Sequence, residues 1–181
     1  PFCVAGGIRS VREAAAVLNA GADKVSINTP ALLRPELISE LAEAFGVQCV
    51  VVGIDSLRDE DGQWRVRQFT GDPNKTQALS KLTLDWVIEA QQRGAGEIVL
   101  NCMGSDGARD GYDIEQLAAV RAICQIPLVA SGGAGSVQHF IDVFEQADVD
   151  AALAATVFHN GSIPIPALKR ALADQNIPVR I

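Results

Sequence analysis

A chain of 181 residues, 48% apolar and 20% charged, carries enough apolar material for one folded domain. Its formal net charge of −7 argues against nucleic acid or an anionic membrane as partner, so any bound phosphate has to be held by backbone amides and helix ends rather than by a lysine-rich patch. No apolar run reaches the roughly 18 to 20 residues that cross a bilayer and no signal-peptide pattern opens the chain, which gives a cytoplasmic expectation.

In chain order, strand Phe2–Gly7 breaks at paired glycines and is followed by a helix from about Val11 to Asn19. Strand Lys24–Asn28 leads to a helix near Pro35–Phe45, with Pro35 suited to a first turn and Gly46 to the stop. Strand Cys49–Ile54 is rich in β-branched residues, as expected of a parallel strand buried on both faces. Asp61-Gly62 then signals a hairpin, and Trp64–Phe69 alternates as a returning strand. This insertion is a candidate lid, with Thr70, Gly71 and Asn74 near its return. A long amphipathic helix is expected over about Thr76 to Arg93, with Leu79, Leu82, Trp86, Val87 and Ala90 on its apolar stripe. Strand Glu97–Cys102, a helix from Ile114 to Ile123 and strand Leu128–Ser131 follow. A Ser136-capped helix then runs to about Ala147, before strand Ala151–Val157 and a closing helix near Ile165–Ala173. Cys3, Cys49, Cys102 and Cys124 have no metal or redox spacing, so reduced, buried thiols and no metal are expected.

Six βα units in strict alternation point to parallel strands with right-handed crossovers. Glycine, threonine, asparagine and aspartate gather at the C-terminal ends of the strands, where a (β/α)8 TIM barrel carries its active site. Such a barrel needs about 250 residues. The expectation is therefore one barrel domain over 1–181, short of two βα units that would precede Pro1; an open six-stranded sheet is the alternative. One unit occurs twice. Val4-Ala5-Gly6-Gly7-Ile8-Arg9-Ser10-Val11 matches Ala130-Ser131-Gly132-Gly133-Ala134-Gly135-Ser136-Val137 at the glycine pair and at Ser-Val. A strand, a glycine turn and a capped helix form an anion cradle, so two copies suggest a ligand with two phosphates.

The strings VAGGI, ADKVSINT, VVVGIDS, RGAGEIVLN, DGARDGYD, ASGGAGSV and ALAATVFH resemble, nearly end to end, the cyclase subunit of imidazole glycerol phosphate synthase, an enzyme of histidine biosynthesis. The family's first two βα units have no counterpart in this sequence. The resemblance implies a lyase without cofactor. Its substrates are ammonia and a bisphosphate ribulosyl-formimino aminoimidazole carboxamide ribotide, and its products are imidazole glycerol phosphate and aminoimidazole carboxamide ribotide. Two aspartates act there as general acid and base. Asp55 matches the second, and the first would lie upstream of Pro1.

The resemblance further implies one phosphate site at Gly7, Asn28 and Thr29, and another at Asp106, Gly107, Gly132, Gly133, Ala155 and Thr156. Asp106 is expected to meet ligand hydroxyls or shape its loop, since a carboxylate does not bind a phosphate dianion directly. Asn101 points inward toward substrate, and Gly104 stands where the family carries an acidic or amide residue. Lys24 and Glu97 match two charged residues that gate ammonia arriving from a glutamine amidotransferase partner. Read without the resemblance, Asp55 is a turn aspartate, each glycine a turn, Asn101 a satisfied core polar group, and Lys24 and Glu97 solvated charges. His139 and His159 receive no role. A non-catalytic phosphate-binding fragment and the sister phosphoribosyl-formimino isomerase are the alternatives in function.

Overall fold

A computed structural model describes residues 1–180. Its strands are β1 (Cys3–Ala5), β2 (Lys24–Ile27), β3 (Val50–Arg58), β4 (Trp64–Gln68), β5 (Gln77–Leu82), β6 (Glu97–Cys102), β7 (Leu128–Ser131) and β8 (Ala151–Leu153). The helices are α1 (Val11–Asn19), α2 (Thr29–Leu33), α3 (Glu36–Phe45), α4 (Thr83–Gln92), α5 (Ile114–Arg121), α6 (Val137–Ala147), α7 (Thr156–His159) and α8 (Ile165–Asp174). Six strands pair in parallel in the order β1-β2-β3-β6-β7-β8, and β4 and β5 form an antiparallel extension from β3. The order never reverses, so the winding is of the (β/α)8 barrel type and not doubly wound. No described helix is long and apolar enough to cross a membrane.

Strands β6 and β7 bury alternate residues, because successive side chains point to opposite faces. On β6, Ile98, Leu100 and Cys102 are fully buried and share a core with Trp86 and Val87 of α4 and Leu117 and Val120 of α5. Glu97, Val99 and Asn101 lie on the other, concave face and are only half-buried. The same alternation holds on β2, where Val25 and Ile27 are buried and Lys24 and Ser26 are not. A buried polar chain ties the helix layer to the sheet. Gln116 of α5 donates to Ser56 Oγ of β3, which lies 2.7 Å from Thr83 Oγ1 at the start of α4. At Gly96 the backbones come so close that a Cβ would sit 2.0 Å from the Val47 carbonyl oxygen.

Several elements differ from expectation. The helix expected over 76–93 starts only at Thr83, while Gln77–Leu82 forms β5, with Arg67 opposite Ala78 and Gln68 opposite Gln77. The free edge of β4 offers ladder hydrogen bonds to this stretch, and that pairing overrides its helix propensity. Trp86, Val87 and Ala90 are buried as expected, whereas Leu79 and Leu82 stay half-buried on the hairpin. β3 runs on to Arg58 because β4 pairs along its upper half. β1 ends at Ala5, before Gly6 and Gly7 at φ +91 and +77. β8 ends at Leu153, and Ala155 caps the short α7 instead of extending the strand. Not all thiols are buried: Cys102 and Cys124 are, but Cys49 is half-exposed and Cys3 is exposed on β1, which pairs with β2 alone among the described strands.

Candidate active site

The C-terminal ends of the strands carry two cavities. The first, of about 660 Å³, lies over β1 and β2 and is lined by Gly7, Asn28, Thr29, Arg9, Phe69 and Thr70 among others. Ser10 caps α1 beside it, its hydroxyl accepting from the Glu13 amide at 3.2 Å. The second, of about 80 Å³, lies over β7 and β8 and is lined by Asp106, Gly107, Gly132, Gly133, Ala155 and Thr156 among others. Ser136 caps α6 beside it. The two copies of the sequence repeat thus build two equivalent corners of one rim.

Gly133 shows why this turn admits no side chain. Its φ is +112, and a Cβ there would meet the Gly111 carbonyl oxygen at 2.0 Å. That carbonyl belongs to the loop after β6, whose Gly111 amide in turn donates to the Gly133 carbonyl at 2.9 Å. The close approach therefore shapes the wall of the second cavity.

Asp55 stands between these corners. It projects from β3, with Asn101 of β6 opposite it in register and Ser131 of β7 opposite Asn101. Asp55 Oδ2 accepts from Asn28 Nδ2 at 2.6 Å and from the Thr70 hydroxyl, and Oδ1 accepts from Asn101 Nδ2 at 2.8 Å. Asn28 joins the carboxylate to the first corner. Asn101 joins it to the second, since a Cβ on Gly132 would lie 3.0 Å from Asn101 Oδ1. From β2 to β7 the sheet spans three strand spacings, roughly 14 Å. A carboxylate held by three donors within that span can exchange a proton with a ligand anchored at both ends.

At the opposite end of the concave face, Lys24 Nζ of β2 and Glu97 Oε2 of β6 form an ion pair at 2.5 Å. Cys3 neighbours both; partial burial first, then the Glu97 carboxylate, push its thiol up, against the opposing pull of Lys24. Asp23 accepts from the Phe2 amide at 2.6 Å and so ties down the start of the chain. His139 Nδ1 accepts from the Gly135 amide at 3.1 Å, a packing arrangement, and His159 is exposed at the end of α7. Gly104 brings no side chain to the site, and its nearest contact would be Leu57. Among the described residues, no three His, Cys, Asp or Glu side chains converge as a metal site would require.

The structure gives Thr70 of the hairpin return a definite partner and adds further residues to the site. Thr70 bonds the carboxylate, and the Phe69 amide donates to Thr29 Oγ1 at 2.9 Å. Arg9 and Arg34 line the first cavity and Arg109 the second, so each corner has a cation as well as amides. Ser131, one residue before the second glycine pair, also lines that cavity. Asn28 Oδ1 is buried without a hydrogen-bond partner, leaving an acceptor beside the first corner.

Residues 1–164 match the family model described as histidine biosynthesis protein. The chain is 74% identical over 180 residues to the imidazole glycerol phosphate synthase subunit HisF of Xanthomonas campestris pv. campestris (strain B100), covering 99% of this chain and 70% of that protein. Identity to the HisF subunit of Xanthomonas axonopodis pv. citri (strain 306) is 73%, and to that of Stenotrophomonas maltophilia (strain K279a) 70%, with the same coverage.

Proposed function

We propose a reaction for this chain from one premise: it belongs to the histidine biosynthesis protein family, among the cyclase subunits of imidazole glycerol phosphate synthase. The identities of 70 to 74% are to cyclase subunits, which sets the sister isomerase aside. The reaction is closure of an imidazole ring with ammonia on a ribotide bearing a phosphate at each end. One phosphate is held at Gly7, Asn28 and Thr29, and the other at Gly107, Gly132, Gly133, Ala155 and Thr156. Backbone amides, the N-terminal ends of α1 and α6 and the two threonine hydroxyls supply the donors. Asp106 meets ligand hydroxyls rather than phosphate. Asp55 supplies one half of the acid/base pair that the family uses, exchanging a proton with the ligand as the C–N bond breaks and the ring closes, with Asn101 steering its carboxylate.

The relatives are named as subunits, and we extend this to a glutamine amidotransferase partner on the N-terminal face. Ammonia would enter past Lys24 and Glu97, whose ion pair spans the concave face at that end. The observation that carries the reading is the position of Asp55, hydrogen-bonded to Asn28 of the first corner and to Asn101, which lies beside Gly132 of the second. Ammonia-dependent formation of imidazole glycerol phosphate by the 181-residue chain tests it. Asp55→Asn is expected to lower turnover by roughly 10²- to 10⁴-fold. Its affinity for the bisphosphate substrate should stay within a few-fold. A chain that binds the ligand without turnover would leave only the binding function.

A further inference from the structure

Asp55 has about four lone-pair positions on its two oxygens. Oδ2 takes two donors, Asn28 Nδ2 at 2.6 Å and the Thr70 hydroxyl, whereas Oδ1 takes one, Asn101 Nδ2 at 2.8 Å. The remaining acceptor position is therefore on Oδ1. Thr70 comes from neither repeat. It sits two residues beyond β4, next to Phe69, whose left-handed φ of +58 turns the chain back over the first cavity. The turn is fastened twice, since the Phe69 amide donates to Thr29 Oγ1 at 2.9 Å while Thr70 donates to Asp55. By accepting that amide, Thr29 directs its own hydroxyl proton away from Phe69, leaving it for the anion corner.

We infer that Thr70 is a positioning residue: it saturates Oδ2 of Asp55 and so makes Oδ1 the oxygen that exchanges the proton. The inference rests on the acid/base role proposed for Asp55 and deepens it. Thr70 does no proton transfer. Its hydroxyl fixes the carboxylate rotamer and aims the remaining lone pair along the span between the corners.

The test compares Thr70→Val, Thr70→Ser and Asp55→Ala in the full chain, with two readouts. The first, independent of turnover, is amide exchange at Phe69 and at Asp72, whose amide donates to the Phe69 carbonyl at 3.3 Å. Thr70→Val and Asp55→Ala should each speed both amides at least tenfold while the β4 amides hold, and Thr70→Ser should match the parent chain. The second readout is steady-state kinetics. Thr70→Val should lose roughly ten- to a hundredfold in kcat with KM within about threefold, and Thr70→Ser should recover most of it. Unchanged exchange in Thr70→Val overturns the inference whatever the turnover, and so does an unchanged kcat. Where Thr70→Val does not fold, Asp55→Ala decides by the same exchange readout. A parent chain without turnover but with Thr70-dependent exchange supports the anchoring and overturns the function proposed above.

Discussion

Asp55 and Gly133 show two ways in which a single residue carries this site. Asp55 contributes a charge whose usefulness depends on neighbours from β2, β6 and the hairpin return. Gly133 contributes the lack of a side chain at a backbone contact. Gly133→Ala would press a methyl group against the Gly111 carbonyl in a conformation that L-residues rarely adopt. We expect it to destabilise the chain by about 2 kcal/mol or more, read from denaturant midpoints at constant m. Phosphate affinity at the second corner should fall with it, while the first corner keeps its own. The glycine was visible in the sequence because a turn between a strand and a capped helix leaves a local signature. Asp55 was visible as a polar residue ending an apolar run, but its function entered through resemblance. Thr70 could be flagged only as lying near the hairpin return, since its bond to a carboxylate 15 residues earlier depends on an antiparallel register that spacing does not encode.

At the scale of elements, caps and alternation were legible and the hairpin was half legible. Ser10 accepts from the Glu13 amide at 3.2 Å, while the Glu13 carboxylate accepts from the Arg9 amide at 2.7 Å, a reciprocal arrangement close to a capping box. Ser10→Ala should therefore cost about 1 kcal/mol and Ser10→Gly only a few tenths, measured by thermal or denaturant unfolding. The first cavity would also loosen, because α1 leaves from its wall. Asp61-Gly62 announced the first turn of the hairpin, and Arg65 fixes Asp61 there by a paired side-chain bond that holds its carboxyl down at about 2. The strand after the second turn reads locally as the start of a helix. Residues 77–82 suit a helix locally and become a strand because β4 presents them with an unfilled edge. Nothing within the segment could reveal that partner.

At the scale of the whole molecule, the helix layer seals one face of the sheet. Burial pushes the pKa values of the Cys102 thiol and the Tyr112 phenol well above their ordinary values, Cys102 also feeling Asp113. A group whose pKa is raised on folding stabilises the native state fully below its unfolded pKa and progressively less as pH climbs past it toward the folded value. We therefore expect the melting temperature to be flat to about pH 8 and to fall between about pH 9 and 11, as the unfolded thiol and phenol ionise. Cys102→Ala should flatten the lower part of that fall, and Tyr112→Phe the upper part. Tyr112→Phe also gives up the hydroxyl bond to the Leu153 carbonyl at 3.0 Å, which lowers the whole curve by about 1 kcal/mol. An unchanged alkaline limb in both variants would count against these two groups as its source.

Alternation along β6 has a further meaning for how such a chain can change. Residues 98, 100 and 102 anchor the fold, while 97, 99 and 101 face the ligand side and bear little of its weight. Parity thus separates two kinds of mutational freedom. New chemistry can be tried at the odd positions of this strand without melting the scaffold, and the even ones can drift among apolar residues without touching catalysis.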